Sequence, residues 1–198
     1  LTINGLGQKQ LEIQNPAGET VTVLDDDCNA IDYDHDAVGN LTRLTGLAGE
    51  VTTMSYDLAG RKSAMEDPNQ GSWQYRYNSL GELTRQRDAK SQAIDFIYDT
   101  LGRVTSRCER TSVSSLNDSS FGTPHCEISD YHGSGPGEGQ LERVRYQTGS
   151  GSLVHQQTYG FDNRGRLTSV ATDTGAMLTT ERTTYDQFSR VFQHFDAT

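Results

Sequence analysis

The sequence has few apolar residues, few cysteines and no long hydrophobic run. Only 33% of its 198 residues are hydrophobic, and three are cysteine. No segment approaches the ~18 apolar residues of a membrane-spanning helix, so we expect no membrane insertion by this segment. So small an aliphatic content argues against a single thick helical core. Three cysteines exclude a disulfide-dense scaffold, and their odd number leaves at least one without a partner inside the chain.

Basic residues are also scarce. Lys and Arg number 17 against 27 Asp and Glu, which gives a net charge of -10 at pH 7. An acidic chain repels phosphate backbones and anionic lipid, so we expect no nucleic-acid partner. The sequence begins at Leu1 without a basic and then apolar leader. We therefore expect a fragment of a longer protein.

Glycine, in contrast, is abundant and recurs at a fixed interval. Four segments align without a gap, and the glycine at the fifth position of each lies 21 residues from the next: His35–Leu41, Tyr56–Lys62, Tyr77–Leu83 and Tyr98–Val104. Two later copies are Phe161–Leu167, whose Gly165 lies 63 residues or three intervals after Gly102, and Tyr185–Val191, with Ser189 in the glycine position. This regularity indicates a repeat protein.

The copies near the N-terminus are degenerate. Gly7 and Cys28 are again 21 residues apart, but Cys28 precedes Gly39 by only 11, which predicts that the register skips half a unit there. Cys28 and Ser189 replace the motif glycine, and Asn78 replaces the motif aspartate. We therefore expect weaker or altered turns at these three places.

Each repeat carries the chemistry of strands and tight turns. An Asp followed three residues later by Gly favours a type I turn, with the Gly at positive φ as a hairpin bulge. Apolar and polar residues alternate before the turn, as in Trp73–Tyr77, and β-formers follow it. A second set of turns is predicted half an interval away, at 15–18, 46–49, 67–71 and 88–91. The sequence therefore predicts an all-β fold of stacked two-stranded β-hairpin repeats.

The aromatic residues at the first motif position, and those two residues earlier, would share one face of consecutive repeats. Two interpretations stand: these rings are rungs of a structural ladder, or they form a stacking platform for sugars or bases. Recurrence at the structural period favours the ladder, because it needs no ligand to explain it.

The motif Tyr-Asp-x-x-Gly-Arg-Leu at this period resembles the RHS/YD-repeat family, most clearly in Tyr56–Lys62, Tyr98–Val104 and Phe161–Leu167. The resemblance implies a long β-sheet ribbon that curves and spirals into a hollow shell. In bacterial polymorphic toxins and in the B/C components of insecticidal toxin complexes, that shell encloses a C-terminal toxic polypeptide. In the animal teneurins, a related shell belongs to an adhesion receptor. The final copy of the motif is more similar to the bacterial proteins, which implies a secreted or cell-surface location.

On this resemblance we expect a non-enzymatic structural segment of a toxin-enclosing shell, with no cofactor. Its partners would be the remaining repeats and the C-terminal toxin of the parent chain, together with a delivery or secretion-system component. The alternative is a cell-surface adhesion or carbohydrate-binding module that uses Trp73, Tyr75 and the 108–139 segment. An enzyme would require a catalytic cluster that the sequence does not display. The expected scaffold residues are the motif positions Tyr56, Asp57, Gly60, Arg61, Tyr77, Gly81, Tyr98, Asp99, Gly102, Arg103, Phe161, Asp162, Gly165 and Arg166.

We expect one continuous repeat domain, with repeats at 1–107 and 140–198 and an irregular insertion with a Gly-rich loop at 108–139. Because Gly102 and Gly165 are three intervals apart, degenerate repeats should continue through the insertion, with Tyr131 and Leu141–Tyr146 as strand residues.

Two cysteines bracket an extended surface loop in this insertion. Cys108 and Cys126 would form a disulfide in an oxidising compartment. The alternative is two reduced thiols in a toxin assembled in the cytosol. Cys28 is left over in either case.

Two clusters suggest metal ions, but neither has the required spacing. Cys108, His125, Cys126 and His132 lack the closely spaced pairs of a zinc site. The three aspartates of 32–36 are not followed by the Gly and Glu of a calcium loop. A loop and a solvated acidic strand edge are the simpler interpretations.

Overall fold

The computed structural model describes residues 2–3, 9–117 and 124–195. All regular elements in these ranges are β-strands, and they fall into two compact units, Leu1–Lys90 and Ser91–Thr198. The first unit holds β1 (Thr2–Ile3), β2 (Lys9–Gln14), β3 (Thr20–Leu24), β4 (Ala30–His35), β5 (Leu41–Thr45), β6 (Val51–Tyr56), β7 (Lys62–Asp67), β8 (Gly71–Tyr77) and β9 (Leu83–Arg87). The second holds β10 (Ala93–Tyr98), β11 (Val104–Arg110), β12 (His125–Tyr131), β13 (Leu141–Gln147), β14 (Leu153–Phe161), β15 (Leu167–Asp173), β16 (Leu178–Tyr185) and β17 (Val191–Phe195).

Within each unit, every strand pairs antiparallel with the next strand along the chain. Chain neighbours are therefore sheet neighbours, as short hairpin turns require. The all-β prediction of stacked antiparallel hairpins is confirmed.

The turn that joins β6 to β7 has the predicted chemistry. The Gly60 N–H donates to the Asp57 carbonyl at 3.0 Å, and the Asp57 N–H donates to the Arg61 carbonyl at 2.9 Å. The Asp57 carboxylate accepts hydrogen bonds from the N–H groups of Ala59 and Arg61. Gly60 has a φ of 75°, and the strand register shifts between Ser55 and Tyr56. The turn followed by a glycine bulge is thus confirmed, because only glycine takes this backbone conformation cheaply.

The predicted half-unit skip near the N-terminus is wrong. The turn at 15–18 lies between β2 and β3, on the same sheet edge as the turn that contains Gly39, and Gly18 precedes Gly39 by 21 residues. Cys28 instead lies between β3 and β4 on the opposite edge, 21 residues before Gly49. Near the N-terminus the 21-residue interval is therefore kept on both edges, and the turns at 25–29 and 36–40 have the same backbone hydrogen bonds. The copy assigned to Gly7 lies outside the described residues.

The turns with an unusual residue keep the same hydrogen bonds. The N–H groups of Cys28 and Ser189 donate to the carbonyls of Asp25 and Asp186, both at 3.1 Å, as glycine does elsewhere. Cys28 and Ser189 take φ values of 60° and 64° to do so. The Asn78 side chain accepts from Leu80 and Glu82 in the manner of aspartate. The expectation of altered turns is therefore wrong, and a lower stability there stays a prediction based on the left-handed backbone.

The irregular middle contains one hidden repeat. β12 includes Tyr131 and β13 begins at Leu141, so the predicted strand residues are confirmed. A single long turn, 132–139, joins these strands, and it places Gly139 in the motif position at a φ of 77°. Gly139 lies 37 residues after Gly102 and 26 before Gly165. The 63-residue spacing therefore contains two unequal repeats instead of three equal ones.

Few side chains are buried in the described part of the chain. The buried hydrophobic residues are Ala93, Cys108, Val113 and Val144, all in the second unit. Val113 is 1% exposed, and its N–H donates to the Ser91 carbonyl at 2.9 Å. The connection after β11 thus folds back over the start of β10, and this part of the expected surface loop is buried. In the first unit, half-buried rows such as Met54, Met65 and Trp73 lie side by side across neighbouring strands.

Candidate functional site

The motif arginine is held by the aspartate of its own turn. The Arg61 guanidinium approaches the Asp57 carboxylate with Nε at 2.7 Å and Nη2 at 2.6 Å from Oδ2. The same pairing recurs at Asp99–Arg103, Asp162–Arg166 and Asp186–Arg190. Because the carboxylate also accepts backbone N–H groups of the turn, the aspartate fixes both the turn and the direction of the arginine.

Three of these arginines, Arg61, Arg103 and Arg166, reach the next turn on the same edge. Arg61 Nη1 donates to the Asn78 carbonyl at 2.9 Å, and its Cζ lies 4.8 Å from the centre of the Tyr77 ring. The Tyr77 hydroxyl returns to the earlier repeat and donates to the Lys62 carbonyl at 3.0 Å. One cation–π contact and two hydrogen bonds therefore join consecutive repeats, and we call this set of contacts a rung of the repeat ladder.

The second unit has two equivalent rungs. Arg103 donates to the Gly139 carbonyl at 2.9 Å and lies 4.2 Å from the Tyr131 ring. Arg166 donates to the Asp186 carbonyl at 3.4 Å and lies 4.6 Å from the Tyr185 ring. The tyrosine hydroxyls donate to Val104 and Leu167 carbonyls at 3.1 and 2.8 Å.

Two motif copies use reduced forms of the rung. The Tyr56 hydroxyl donates to the Leu41 carbonyl at 2.8 Å, although Asn40 stands in the preceding arginine position. Phe161 has no hydroxyl and packs edge-to-face on His132 at 5.5 Å. Gln140 occupies the arginine position before it and donates to the Gly165 carbonyl at 2.9 Å.

The remaining predicted scaffold residues lie in turns or at the ends of strands. Gly81, Gly102 and Gly165 take positive φ in their turns, and Tyr98 ends β10. In the motifs of Arg61, Arg103 and Arg166, the structure brings the aspartate, glycine and arginine together and joins them to a tyrosine of the following repeat. Sequence reasoning predicted the aromatic row but missed that arginine connects the repeats. The sequence does contain a signal for this role, because an arginine directly follows the motif glycine at Arg61, Arg103 and Arg166.

The ladder electrostatics favour ionised aspartates. Donation from the Arg166 side chain, and from the backbone N–H groups of Arg166 and Arg164, lowers the pKa of Asp162 to about 2. The Arg61 side chain is the main cause that lowers the pKa of Asp57, and the Arg103 backbone N–H is the main cause for Asp99. These carboxylates therefore stay charged through the physiological range.

The residues of the alternative binding module lie on β8. The Trp73 and Tyr75 rings are nearly parallel, at 16°, with centres 6.4 Å apart. Among the described residues, the buried Trp73 Nε1 atom has no hydrogen-bond partner. Tyr75 is half-buried, and burial raises its pKa.

The three cysteines divide as one pair and one exposed thiol. Cys108 and Cys126 are directly opposite on β11 and β12, with Cα atoms 4.1 Å apart, and their sulfur atoms are bonded. Cys28 is exposed and unbonded.

The described residues contain neither a candidate metal-ion cluster nor a membrane-spanning helix. No group of three or more His, Cys, Asp or Glu side chains in these ranges is arranged to hold a metal ion. No helix in the described ranges is long and apolar enough to cross a membrane.

Antiparallel hairpins, closed by Asp-x-x-Gly turns and joined by arginine–tyrosine rungs, define a β-repeat wall. The resemblance to the RHS/YD-repeat family is confirmed, because the family described as RHS Repeat matches residues 35–72 and 77–107. A comparison with curated protein sequences finds no match.

The fold is shared with a solved structure. The crystal structure of TcdB2-TccC3-TEV is similar with a TM-score of 0.53 and 14% identity, over 93% of this chain and 12% of that chain. The Photorhabdus luminescens Tc holotoxin pore with a TccC3 mutation has a TM-score of 0.44 and 16% identity, over 94% of this chain and 13% of that chain. This chain therefore spans only about an eighth of the length of the solved chains it resembles.

Proposed function

We propose that this chain is a non-enzymatic structural segment of an RHS-repeat β-shell that encloses a C-terminal toxin polypeptide of its parent protein. The observation that carries the proposal is the repeat ladder. The aspartate, arginine and tyrosine of the motif are engaged in contacts within and between repeats, so these side chains hold a wall together and are not free to act on a substrate. The shared fold with TcdB2-TccC3-TEV supports the same role.

The proposal extends to partners and location. The remaining repeats and the enclosed polypeptide of the parent chain are the primary partners, and a delivery or secretion-system component is a further one. The assembly is secreted or displayed at a bacterial cell surface. The net charge of -10 on this segment would help a wall to retain a basic polypeptide.

Protease protection in the full-length parent protein tests enclosure. We expect the wild-type shell to protect the C-terminal polypeptide, and Arg103→Ala to expose it, because this change removes the rung to Tyr131 and Gly139. Lys90→Ala is the matched control, since Lys90 lies at an exposed turn, where its backbone N–H donates to the Asp88 carboxylate. Rapid digestion of the C-terminal polypeptide in the wild-type protein would contradict enclosure.

A carbohydrate-binding surface on β8 is the second candidate function. The Trp73 and Tyr75 rings lie nearly parallel on β8, and aromatic rings arranged in this way can stack on a sugar. Under this alternative, a glycan array would show micromolar binding that is lost in Trp73→Ala and Tyr75→Ala. Equal binding by the wild type and both variants would exclude this surface.

A further inference from the structure

A cleft of about 340 Å³ lies on one face of the second unit. Its base is a row of four side chains on consecutive strands: Arg107 on β11, Glu127 on β12, Tyr146 on β13 and His155 on β14 are directly opposite one another. Directly opposite residues of antiparallel strands share a face, so these four groups project together. The row thus combines a cation, an anion and two rings within one concave surface.

The two rings form a fixed platform. Tyr146 and His155 are stacked with ring centres 4.2 Å apart and an interplanar angle of 16°. Burial, together with the nearby Glu127 carboxylate, raises the pKa of Tyr146, so its phenol is neutral at physiological pH. The platform therefore presents an uncharged aromatic ring directly beside a carboxylate.

The tyrosine and carboxylate of the cleft resemble two of the three groups in a rung of the repeat ladder. The third group, a guanidinium on the tyrosine ring, is absent from the cleft in the described residues. At each complete rung, a guanidinium lies 4.2–4.8 Å from a tyrosine ring centre and pairs with a carboxylate. In the cleft, the nearby Arg107 is instead held by Glu109, at 2.8 Å. Within the described residues, Glu127 takes part in no ion pair, and its carboxylate accepts a hydrogen bond from the Tyr146 hydroxyl. The tyrosine and the carboxylate are in place, but their guanidinium is not supplied by the described part of this chain.

We propose that this cleft binds an arginine side chain of another polypeptide, with its guanidinium on the Tyr146 ring and paired with Glu127. Arginine fits better than lysine, because a planar guanidinium can stack on a ring and donate to a carboxylate at the same time. The acidic charge of the chain draws a basic polypeptide towards the wall. The inference rests on the proposed function in one respect, namely that the polypeptide is the enclosed one.

Binding of blocked tripeptides to the 198-residue chain tests the site. The probes are Gly-Arg-Gly, Gly-Lys-Gly and Gly-citrulline-Gly, and the readout is the shift of the Tyr146 and His155 ring signals in NMR titrations. We expect Gly-Arg-Gly to bind most tightly and citrulline, which has no charge, to bind at least fivefold more weakly. Glu127→Gln should weaken arginine binding about fivefold, as the loss of a partly exposed ion pair implies. Binding should also fall at high salt.

Two variants of Tyr146 test whether its aromatic ring contributes to arginine binding. Tyr146→Phe keeps the ring and should retain arginine binding, whereas Tyr146→Ala should abolish it. Glu138→Gln is the matched control, because Glu138 is an exposed carboxylate outside the cleft. Circular dichroism establishes that each variant remains folded before it is titrated.

Three outcomes would overturn the assignment: equal affinity for the arginine and citrulline probes, no effect of Glu127→Gln, or binding of neutral oligosaccharides in place of the arginine peptide. These outcomes are distinguishable from failure of the proposed function. An unprotected C-terminal polypeptide in the parent protein would refute enclosure even if the cleft binds arginine, and a protected one would leave enclosure intact even if the cleft does not.

Discussion

The turns at Asn78–Gly81 and at 132–139 receive the same kind of rung with different lengths of chain. Two residues separate Asn78 from Gly81, and six separate His132 from Gly139. Both turns close in the same way: the first residue donates to the carbonyl after the glycine, and the glycine donates back to the first residue. Arg61 then reaches the Asn78 carbonyl and Arg103 reaches the Gly139 carbonyl, both at 2.9 Å.

This comparison indicates that the strand ends and the rung define a repeat, and that the number of turn residues does not. A guanidinium has five donors and here needs one backbone carbonyl and one ring. Any turn that returns the chain to the same two strand ends can supply this carbonyl and this ring. Residues inserted within the turn are therefore tolerated, whereas a residue other than glycine at the closing position must take a left-handed backbone conformation.

The largest effect on stability is expected from removing the disulfide. The disulfide holds β11 and β12 together across a long connection, as a short turn does for other strand pairs. The connection between β11 and β12 is long, and Cys108 and Cys126 close it with a sequence separation of 18. Replacing both with Ala should lower the free energy of unfolding by roughly 3 kcal/mol, because a loop of this length is no longer closed in the unfolded chain. Thermal unfolding with and without a thiol reductant measures the loss.

Cys28→Ala is the control for this experiment, because Cys28 is exposed and unbonded. Its melting temperature should match that of the wild type. Equal melting temperatures for the wild type and the double variant, both without reductant, would show that the bridge does not constrain the region.

The next largest effect concerns the closing glycine. Gly102→Val places a β-branched residue at a φ of 77°, which should cost about 2 kcal/mol. Gly133→Val is the matched control, because a side chain there meets open space and the backbone is not left-handed. A melting temperature for Gly102→Val equal to that of the control would refute the assignment of the glycine bulge.

The smallest effect is expected from acid. The folded pKa of Asp162 is about 2, below the ordinary value of 3.8, so the unfolded chain binds a proton at higher pH than the folded chain. The stabilisation is therefore complete above about pH 4 and is lost as the pH falls towards about 2. Urea unfolding between pH 6 and pH 2 should show this fall, with little change between pH 6 and pH 5.

Asp162→Asn should flatten this acid limb relative to the wild type. Glu181→Gln, on the exposed surface of β16, is the charge-matched control. An identical pH dependence for the wild type and Asp162→Asn would contradict the role of the Asp162–Arg166 pair.

The regular repeats could be predicted from sequence because the turn chemistry is local. The aspartate and the glycine that define Asp57–Gly60 are three residues apart, and their roles depend only on backbone conformation. The same local character explains the error at Cys28. Both sheet edges use one kind of turn, so local chemistry cannot tell which edge a degenerate turn occupies.

The rungs and the cleft could not be predicted in this way. Arg61 bonds to a carbonyl 17 residues away, and a backbone carbonyl has no side-chain identity to detect. The 132–139 turn hid its motif because six residues separate its ends. Arg107, Glu127, Tyr146 and His155 converge only because four strands pair in a particular register.

Arg61, Arg103 and Arg166 each bond to the next turn on the same edge. The repeats that these arginines join would therefore bear a mechanical load one after another. A pulling force applied at one end would unfold the outermost hairpin first. Later hairpins would stay folded until their own rung contacts break. Extension traces should then show a series of small steps in place of one abrupt rupture.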